Sequence, residues 1–387
     1  MAKTQKHKPR SFGRPRATTG AKPQFSRSKP VRSGGGFQPL PPPTGASPFH
    51  LDLTDVLPAD LLTAIRQKKR MVCHVTGDSG GVKDPNPQQL VALAMERDFE
   101  DSPASPVDNP AFFYHVGDVV YFNGQDSEYL AQFYEPYEHY MGPIIAIPGN
   151  HDGSPLGADT TLAGFVRNFC TATPGESPDA GNIGRDTMTQ PNVFFTLLTP
   201  MATFIGLYTN VPEHGKVHQD QIDWFHGELS SAPADLPVLV AMHHPIYSAD
   251  DHHSGSGYMG GILDDAIQAS GRIPDMVLAG HVHNYQRFTS ERDGRDVPFL
   301  VTGAGGYHNL HKVAKVNGEK VIPPLTIEGG VTLERYLDDR FGFLRLEFSS
   351  GRISGKYYGA PRPQEPWSGP AKLIDSFTLD VANHKLL

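Results

Sequence analysis

Five short loops, each directly behind an apolar run of strand length, limit what this 387-residue chain can fold into. The runs are Met71 to Thr76, Ala111 to Val116, Pro143 to Pro148, Pro237 to Met242 and Asp275 to Ala279. They show little polar alternation, the pattern of central strands buried on both faces. Helix-like segments stand at Pro87 to Asp98, Glu128 to Tyr140, Gln219 to Leu229 and Gly261 to Ser270, so helices are available to cover such a sheet. The loops are Gly77-Asp78-Ser79-Gly80, Gly117-Asp118-Val119-Val120-Tyr121, Gly149-Asn150-His151-Asp152, Val240-Ala241-Met242-His243 and Gly280-His281-Val282-His283. In open α/β sheets, ligand sites form where the chain leaves the carboxyl ends of strands, and all five loops have that position. One such loop could arise by chance; five in order could not.

Glycine at 77, 117, 149 and 280 allows sharp strand exits and close approach of main chain to a metal ion or phosphate. Asp78, Asp118, Tyr121, Asn150, His243, His281 and His283 then offer seven oxygen and imidazole donors and no thiolate. Such donors suit manganese, iron or zinc, and the lack of sulfur argues against a structural zinc knot. Seven ligands exceed one closed tetrahedral site. With one bridging carboxylate they fit two ions roughly 3.5–4 Å apart, the spacing that clamps attacking and leaving oxygens of an in-line displacement.

These loops resemble the calcineurin-type metallophosphoesterases and, within them, the purple acid phosphatases, whose pattern GDxG, GDxxY, GNH[DE], VxxH and GHxH is matched in order. The flanking text is similar too: Ala241-Met242-His243-His244-Pro245, Gly280-His281-Val282-His283-Asn284-Tyr285-Gln286-Arg287 and Gly303-Ala304-Gly305-Gly306. The resemblance spans roughly Met71 to Tyr307 and implies a four-layer α/β/β/α sandwich of two mixed β-sheets. Most metallophosphoesterases begin with DxH; here Gly80 stands at the His position and Tyr121 replaces that ligand. A phenol has an unperturbed pKa near 10 and ligates well only where a strongly polarising ion displaces its proton. By resemblance that ion is Fe(III), held by Asp78, Tyr121 and His283, with Asp118 bridging and Asn150, His243 and His281 holding a divalent iron, zinc or manganese. His244 competes with His243, but the family places the ligand two residues before Pro245.

The implied reaction is phosphate-ester hydrolysis. Two cations neutralise the charge of the transition state and lower the pKa of bound water, so a metal-bound hydroxide is the implied nucleophile. By resemblance His151 protonates the leaving group, with Asp152 expected to orient its ring, and His252 or His253 contacts substrate phosphate. Inorganic phosphate is the expected product and inhibitor. A phosphomonoester is the first reading, a diester the alternative, and a metal-retaining scaffold a second alternative from a different class. His74, His115, His139, His214, His218 and His308 read as ordinary polar or core residues.

The first 46 residues differ in kind. Lys3, Lys6, Lys8, Arg10, Arg14, Arg16, Lys22, Arg27, Lys29 and Arg32 are basic, no acid precedes Asp52, and Pro, Gly and Ser fill the gaps. The segment reads as a disordered tail, 1–46, on a single catalytic domain, 47–387. The remaining chain keeps 24 basic against 42 acidic residues, a formal −18, so the tail could meet nucleic acid, another polyanion or its own body. No run approaches the ~20 apolar residues of a membrane span, and no classical signal peptide is evident. Two cysteines, Cys73 and Cys170, do not demand an oxidising compartment. A cytoplasmic location is expected, with the basic tail leaving export open. Between Asn150 and His243, the polar stretch Gly157 to Asn192 is expected to shape substrate access. Strands at Pro298 to Thr302, Phe341 to Phe348, Arg352 to Tyr358 and Leu373 to Leu379 are expected to complete a second sheet.

Overall fold

The computed structural model describes residues 36–101, 105–315 and 317–387. Its strands are β1 (His50–Asp52), β2 (Arg70–Thr76), β3 (Pro110–His115), β4 (Ile144–Ala146), β5 (Phe195–Leu198), β6 (Thr203–Gly206), β7 (Val238–Met242), β8 (Met276–Ala279), β9 (Tyr285–Arg292), β10 (Arg295–Thr302), β11 (Leu325–Thr326), β12 (Thr332–Leu337), β13 (Gly342–Ser349), β14 (Arg352–Gly359), β15 (Lys372–Asp380) and β16 (Lys385–Leu386). Helices are α1 (Ala59–Lys68), α2 (Asn86–Asp101), α3 (Asn150–Gly153), α4 (Ala163–Phe169), α5 (Gln219–Ser231) and α6 (Gly257–Ser270). One sheet runs β1-β5-β6-β7-β8-β10-β9-β12-β11 and the other β16-β15-β14-β13-β2-β3-β4; both mix parallel and antiparallel neighbours.

Strand alternation builds the layers. Cys73 and Val75 of β2, Phe112 and Tyr114 of β3, and Leu344 and Leu346 of β13 point into a core shared with Phe204, Leu239, Ala241, Met276, Leu278 and Leu300 of the facing sheet. Phe113, Ile144 and Ala146 face outward instead, against Leu90, Val91, Ala94 and Met95 of α2 and Phe165 and Phe169 of α4. On the far side, Val238, Val240, Met242, Val277 and Val301 meet Phe225 and Leu229 of α5 and Ile262, Leu263 and Ala266 of α6. Every central strand is covered on both faces, which explains its unbroken apolar run and gives the four-layer α/β/β/α sandwich.

Two expectations change in detail. Of the returning strands, β13, β14 and β15 do extend the sheet containing β2, whereas the segment Pro298 to Thr302 lies in β10, parallel to β8 in the other sheet. The stretch Gly157 to Asn192 contributes Leu162, Phe165, Phe169, Cys170 and Ala180 to a hydrophobic core, so its chief role is cover for the outer face of β3 and β4. Residues 36–46, grouped with the tail by composition, lie against the body. Gln38 N–H donates to Asn210 Oδ1 at 2.8 Å, and Thr44 and Gly45 N–H donate to the Pro191 carbonyl. All ten basic tail residues lie outside the described residues, and with them the polyanion contact. Among the described residues no helix is long and apolar enough to cross a membrane.

Candidate metal centre

The five motif strands divide between the sheets, with β2, β3 and β4 in one and β7 and β8 in the other. Their carboxyl ends meet at one edge of the sandwich, where backbone bonds knit the loops together. Asp78 N–H donates to Gly117 O at 2.9 Å, Gly77 N–H to Thr302 O at 3.0 Å and Gly280 N–H to His243 O at 3.0 Å. Three of the proposed ligands take left-handed backbone angles themselves: Asp78 (φ 56°), Asp118 (φ 54°) and His281 (φ 67°). Asp tolerates this region because its short polar side chain bonds locally. Gly117 also has positive φ (100°), and a Cβ there would stand 2.5 Å from His243 Nδ1. Gly280 serves by close approach alone, since a Cβ would lie 2.6 Å from Asp78 Oδ2.

The seven donors form two groups. In the first, the Tyr121 hydroxyl lies 3.3 Å from Asp78 Oδ1 and 3.4 Å from His283 Nε2, which is itself 3.5 Å from Asp78 Oδ1. In the second, Asn150 Oδ1 lies 3.0 Å from His243 Nε2 and 3.0 Å from His281 Nδ1, and His243 Nε2 lies 3.3 Å from Asp118 Oδ2. Asp78, Asp118 and His243 join the groups, with ligand atoms all within 4.8 Å of one another. Backbone carbonyls set the tautomers: His243 Nδ1–H donates to Val116 O and His283 Nδ1–H to Asn309 O, both at 2.9 Å, so each Nε2 turns its lone pair inward. Lone pairs of Asn150, His243 and Asp118 thus converge, and a cation must lie among them, whether proton or metal ion. That convergence, in a buried set without thiolate, fits a metal pair.

The electrostatics agree. Burial, then the nearby negative charge of Asp118, pushes Asp78 up to about 7 despite the His243 imidazolium. Asp118 lies well below the ordinary carboxylate range, because His243 and His151 outweigh the upward push of burial. Burial lowers His243, yet Asp118 and Asp78 raise it on balance to about 9. Burial carries His281 down to about 4 and His283 further below its ordinary value, keeping both in the neutral, ligating form. The Tyr121 phenol is pushed well up by burial and then by the two carboxylates, so only a strong Lewis acid would take its proton.

Gly80 has a physical reason. A Cβ there would lie 2.8 Å from the Tyr121 ring, so a bulkier residue and this tyrosine cannot share the space. The ring is fixed by Gln132, which exchanges hydrogen bonds with the Tyr121 backbone N–H (2.8 Å) and carbonyl (2.9 Å), and by Tyr307 stacked at 4.1 Å.

His151 lies beside this group, its ring 4.6 Å from that of Tyr121. Asp152 does not orient it. The Asp152 carboxylate accepts from the backbone N–H groups of Val119, Val120 and Gly149, clamping the second loop to the third. The reason is geometric: Asn150 to Gly153 form a helical turn, and successive side chains on a helix point about 100° apart. The Phe122 carbonyl, 2.8 Å from His151 Nδ1, fixes that ring instead. Burial, then the charge of Asp118, pushes Asp152 up to about 7.

The two histidines of the substrate-side loop part company. His253 is half-buried with its ring 4.5 Å from that of His281; His252 is exposed, 5.0 Å from His311. Asp250 shapes this loop by accepting from the backbone N–H of both, at 3.0 and 2.9 Å, while Asn284 donates to its other oxygen at 3.0 Å. Besides Gln132 and Tyr307, three more of the described residues at this site fall outside the motifs. His311 is buried 4.4 Å from the His283 ring, Asp250 sits beneath the loop, and Glu213 reaches His253 Nδ1 at 2.9 Å and His281 Nε2 at 3.6 Å. A charged residue in the otherwise turn-like Asn210-Val211-Pro212-Glu213-His214-Gly215 was the only sequence signal for the last. Of the histidines set aside, His115 bonds Ser79 Oγ at 2.8 Å beneath the first loop, and His74 pairs with Asp98 on the outer face.

Purple acid phosphatase 22 of Arabidopsis thaliana is 25% identical over 154 residues, 38% of this chain and 32% of that protein, so the match spans about a third of the relative's length. Among solved structures, the Plasmodium inner-membrane-complex anchor GAP50 superposes with a TM-score of 0.52 at 16% identity, covering 79% of this chain and 90% of that one. PhoD gives 0.51 at 13% identity, covering 82% and 71%. At such identities these two structures speak to the fold alone. The calcineurin-like phosphoesterase family matches residues 73–285, more than half of the 387-residue chain, and the chain belongs to that family.

Proposed function

We propose that the protein is a dinuclear-metal phosphoesterase that hydrolyses phosphate monoesters in the manner of purple acid phosphatases. Asp78, Tyr121 and His283 would hold Fe(III), Asn150, His243 and His281 a divalent iron, zinc or manganese ion, and Asp118 would be shared. The observation that carries this reading is the pair of donor groups meeting around two buried carboxylates, Asp78 and Asp118, each with an imidazole beside it, at 3.5 and 3.3 Å. When bound, the cations supply charge neutralisation at the phosphoryl oxygens and acidify the attacking water. His151 spends Nδ1–H on the Phe122 carbonyl, which leaves Nε2 to carry the proton that the departing alkoxide takes. His253, tied through Nδ1 to Glu213, keeps Nε2 for a phosphate oxygen.

Metal analysis and ester turnover test the proposal together. The purified protein should hold two metal ions and show a visible absorption band that disappears in Tyr121→Phe; a colourless protein with zinc or manganese alone would reject the iron assignment. Rates on a monoester and a diester across pH should favour the monoester. His151→Ala should slow alkyl esters about a hundredfold and activated aryl esters much less, and equal losses would remove its role as proton donor. A wild-type protein loaded with two ions that turns over neither ester class would move the reading to a binding or scaffold protein.

A further inference from the structure

We infer that Glu213 is a positioning residue that straps His281, a ligand of the divalent ion, to His253 on the phosphate side, and so sets how tightly that ion is held. The inference rests on the dinuclear reading above. One carboxylate oxygen, Oε1, faces both rings, at 2.9 Å from His253 Nδ1 and 3.6 Å from His281 Nε2. His281 turns Nδ1 toward Asn150 Oδ1 at 3.0 Å, the direction of the cation. An imidazole that gives its Nδ1 lone pair to a cation carries hydrogen on Nε2, and in a buried ring that N–H needs an acceptor. Among the described residues His281 Nε2 has no partner within hydrogen-bond distance. Glu213 is the carboxylate facing it, 3.6 Å away and just outside bonding range.

Glu213 is exposed, but its backbone is firmly placed. It lies in a turn closed by Gly215 N–H donating to Pro212 O at 2.9 Å. Upstream, the Asn210 side chain exchanges hydrogen bonds with the Gln38 backbone at 2.8 and 2.9 Å; downstream, the His214 carbonyl accepts from the Ser256 hydroxyl. A carboxylate behind a metal-bound imidazole fixes ring and tautomer and raises ligand basicity, and its loss typically costs 10–100-fold in metal affinity. Here the same oxygen also holds a histidine of the substrate loop, so removing it should disturb metal and phosphate together.

The test titrates metal-stripped full-length protein with Zn²⁺ by calorimetry and measures inhibition by inorganic phosphate in the reloaded enzyme. Glu213→Ala should weaken one of the two zinc sites by about 10–100-fold and leave the other within about threefold, with weaker phosphate inhibition alongside. Glu213→Asp should recover part of both. His253→Ala should weaken phosphate inhibition while leaving both zinc affinities within about threefold, which separates the two arms of the strap. If Glu213→Ala does not fold, Glu213→Gln carries the same test with a smaller expected loss, about tenfold. Two zinc ions bound with wild-type affinity and unchanged phosphate inhibition in a folded Glu213 variant would overturn the inference alone. A wild-type protein that binds no zinc would bring down the dinuclear reading and this inference with it.

Discussion

Two clusters of buried charge share the seven-stranded sheet, and they solve the problem of burial in opposite ways. On the outer face of β2, β13 and β14, Arg70, Arg345 and Lys356 answer Asp98, Asp108 and Glu347, with His74 bonded to Asp98 at 2.9 Å. Cations and carboxylates balance. Against the upward push of burial, His74 and Arg345 hold Asp98 below its ordinary value, and Lys356, Arg345 and Arg70 do the same for Glu347. At the carboxyl ends of β2 and β3, Asp78 and Asp118 have imidazoles for partners, and burial drives Asp78 up to about 7. A self-compensated network is architecture. A buried pair of carboxylates answered by imidazoles, with lone pairs turned inward, is a place for added cations.

Removing a shared ligand should break the comparison most severely. Asp118→Asn keeps the shape of the loop and deletes the charge common to both donor groups. The expected loss in kcat/KM is about a thousandfold, or ~4 kcal/mol of transition-state stabilisation. Bound metal should fall from two ions per chain to one or none. A variant that keeps two ions and activity within tenfold would show that Asp118 is not shared.

The balanced network should fail in stability and leave the chemistry intact. Arg345 is almost fully buried, bonds Asp98 Oδ2 at 2.8 Å and the Asp108 carbonyl at 2.7 Å, and pairs with Glu347. Arg345→Met preserves much of the volume but leaves Asp98 with the His74 ring, takes one of three cations from Glu347 and removes the donor to the Asp108 carbonyl, at a cost of about 3 kcal/mol in urea unfolding. Activity per folded molecule should stay within twofold. An Arg345→Met protein of wild-type stability and lowered kcat would erase the distinction between the two clusters.

Protons give a finer test. Burial raises Asp78 to about 7 and, against the downward push of burial, the carboxylate neighbours raise His243 to about 9, so each binds its proton more tightly than in the unfolded chain. The stability they contribute is therefore present at low pH and lost as pH rises through about 7 for Asp78 and about 9 for His243. A metal ion must displace those same protons. Its affinity should rise about tenfold or more per pH unit from pH 5 to 7, with proton release visible as a dependence of binding heat on buffer. Affinity independent of pH over that range would mean that neither group is a ligand.

The same contrast explains what the sequence made legible. The proposed metal ligands sit immediately behind buried strands, where apolar runs fix the backbone and glycines punctuate its exit, so Asp78, Asp118, Asn150, His243, His281 and His283 could be read in order. The division of their strands between two sheets could not, because β2 pairs with β13, far along the chain, and pairing across such distances leaves no local pattern. Asp152 next to His151 invited a false neighbourhood that one helical turn undoes. Glu213, Asp250 and His311 reach the site from irregular loops placed by long-range packing, and irregular backbone carries no period to read. The Arg345 network was equally hidden, because its members come from α2, the turn Pro106–Asp108 and three strands.

Within that network, Lys356 should mark the lower limit of what a charge pair contributes. Its ammonium lies 2.7 Å from Glu347 Oε1, closer than many buried pairs, yet its side chain is 37% exposed. Solvent screens such a pair, and ordering a long side chain offsets much of the attraction. Glu347 also keeps Arg70 and Arg345, so it is not stranded by the loss. Lys356→Met is therefore expected to cost under about 1 kcal/mol in urea unfolding, and less still at high salt. A loss equal to that of Arg345→Met would show that Glu347 depends on all three cations together, and the network would have to be treated as one cooperative unit whose rim matters as much as its centre.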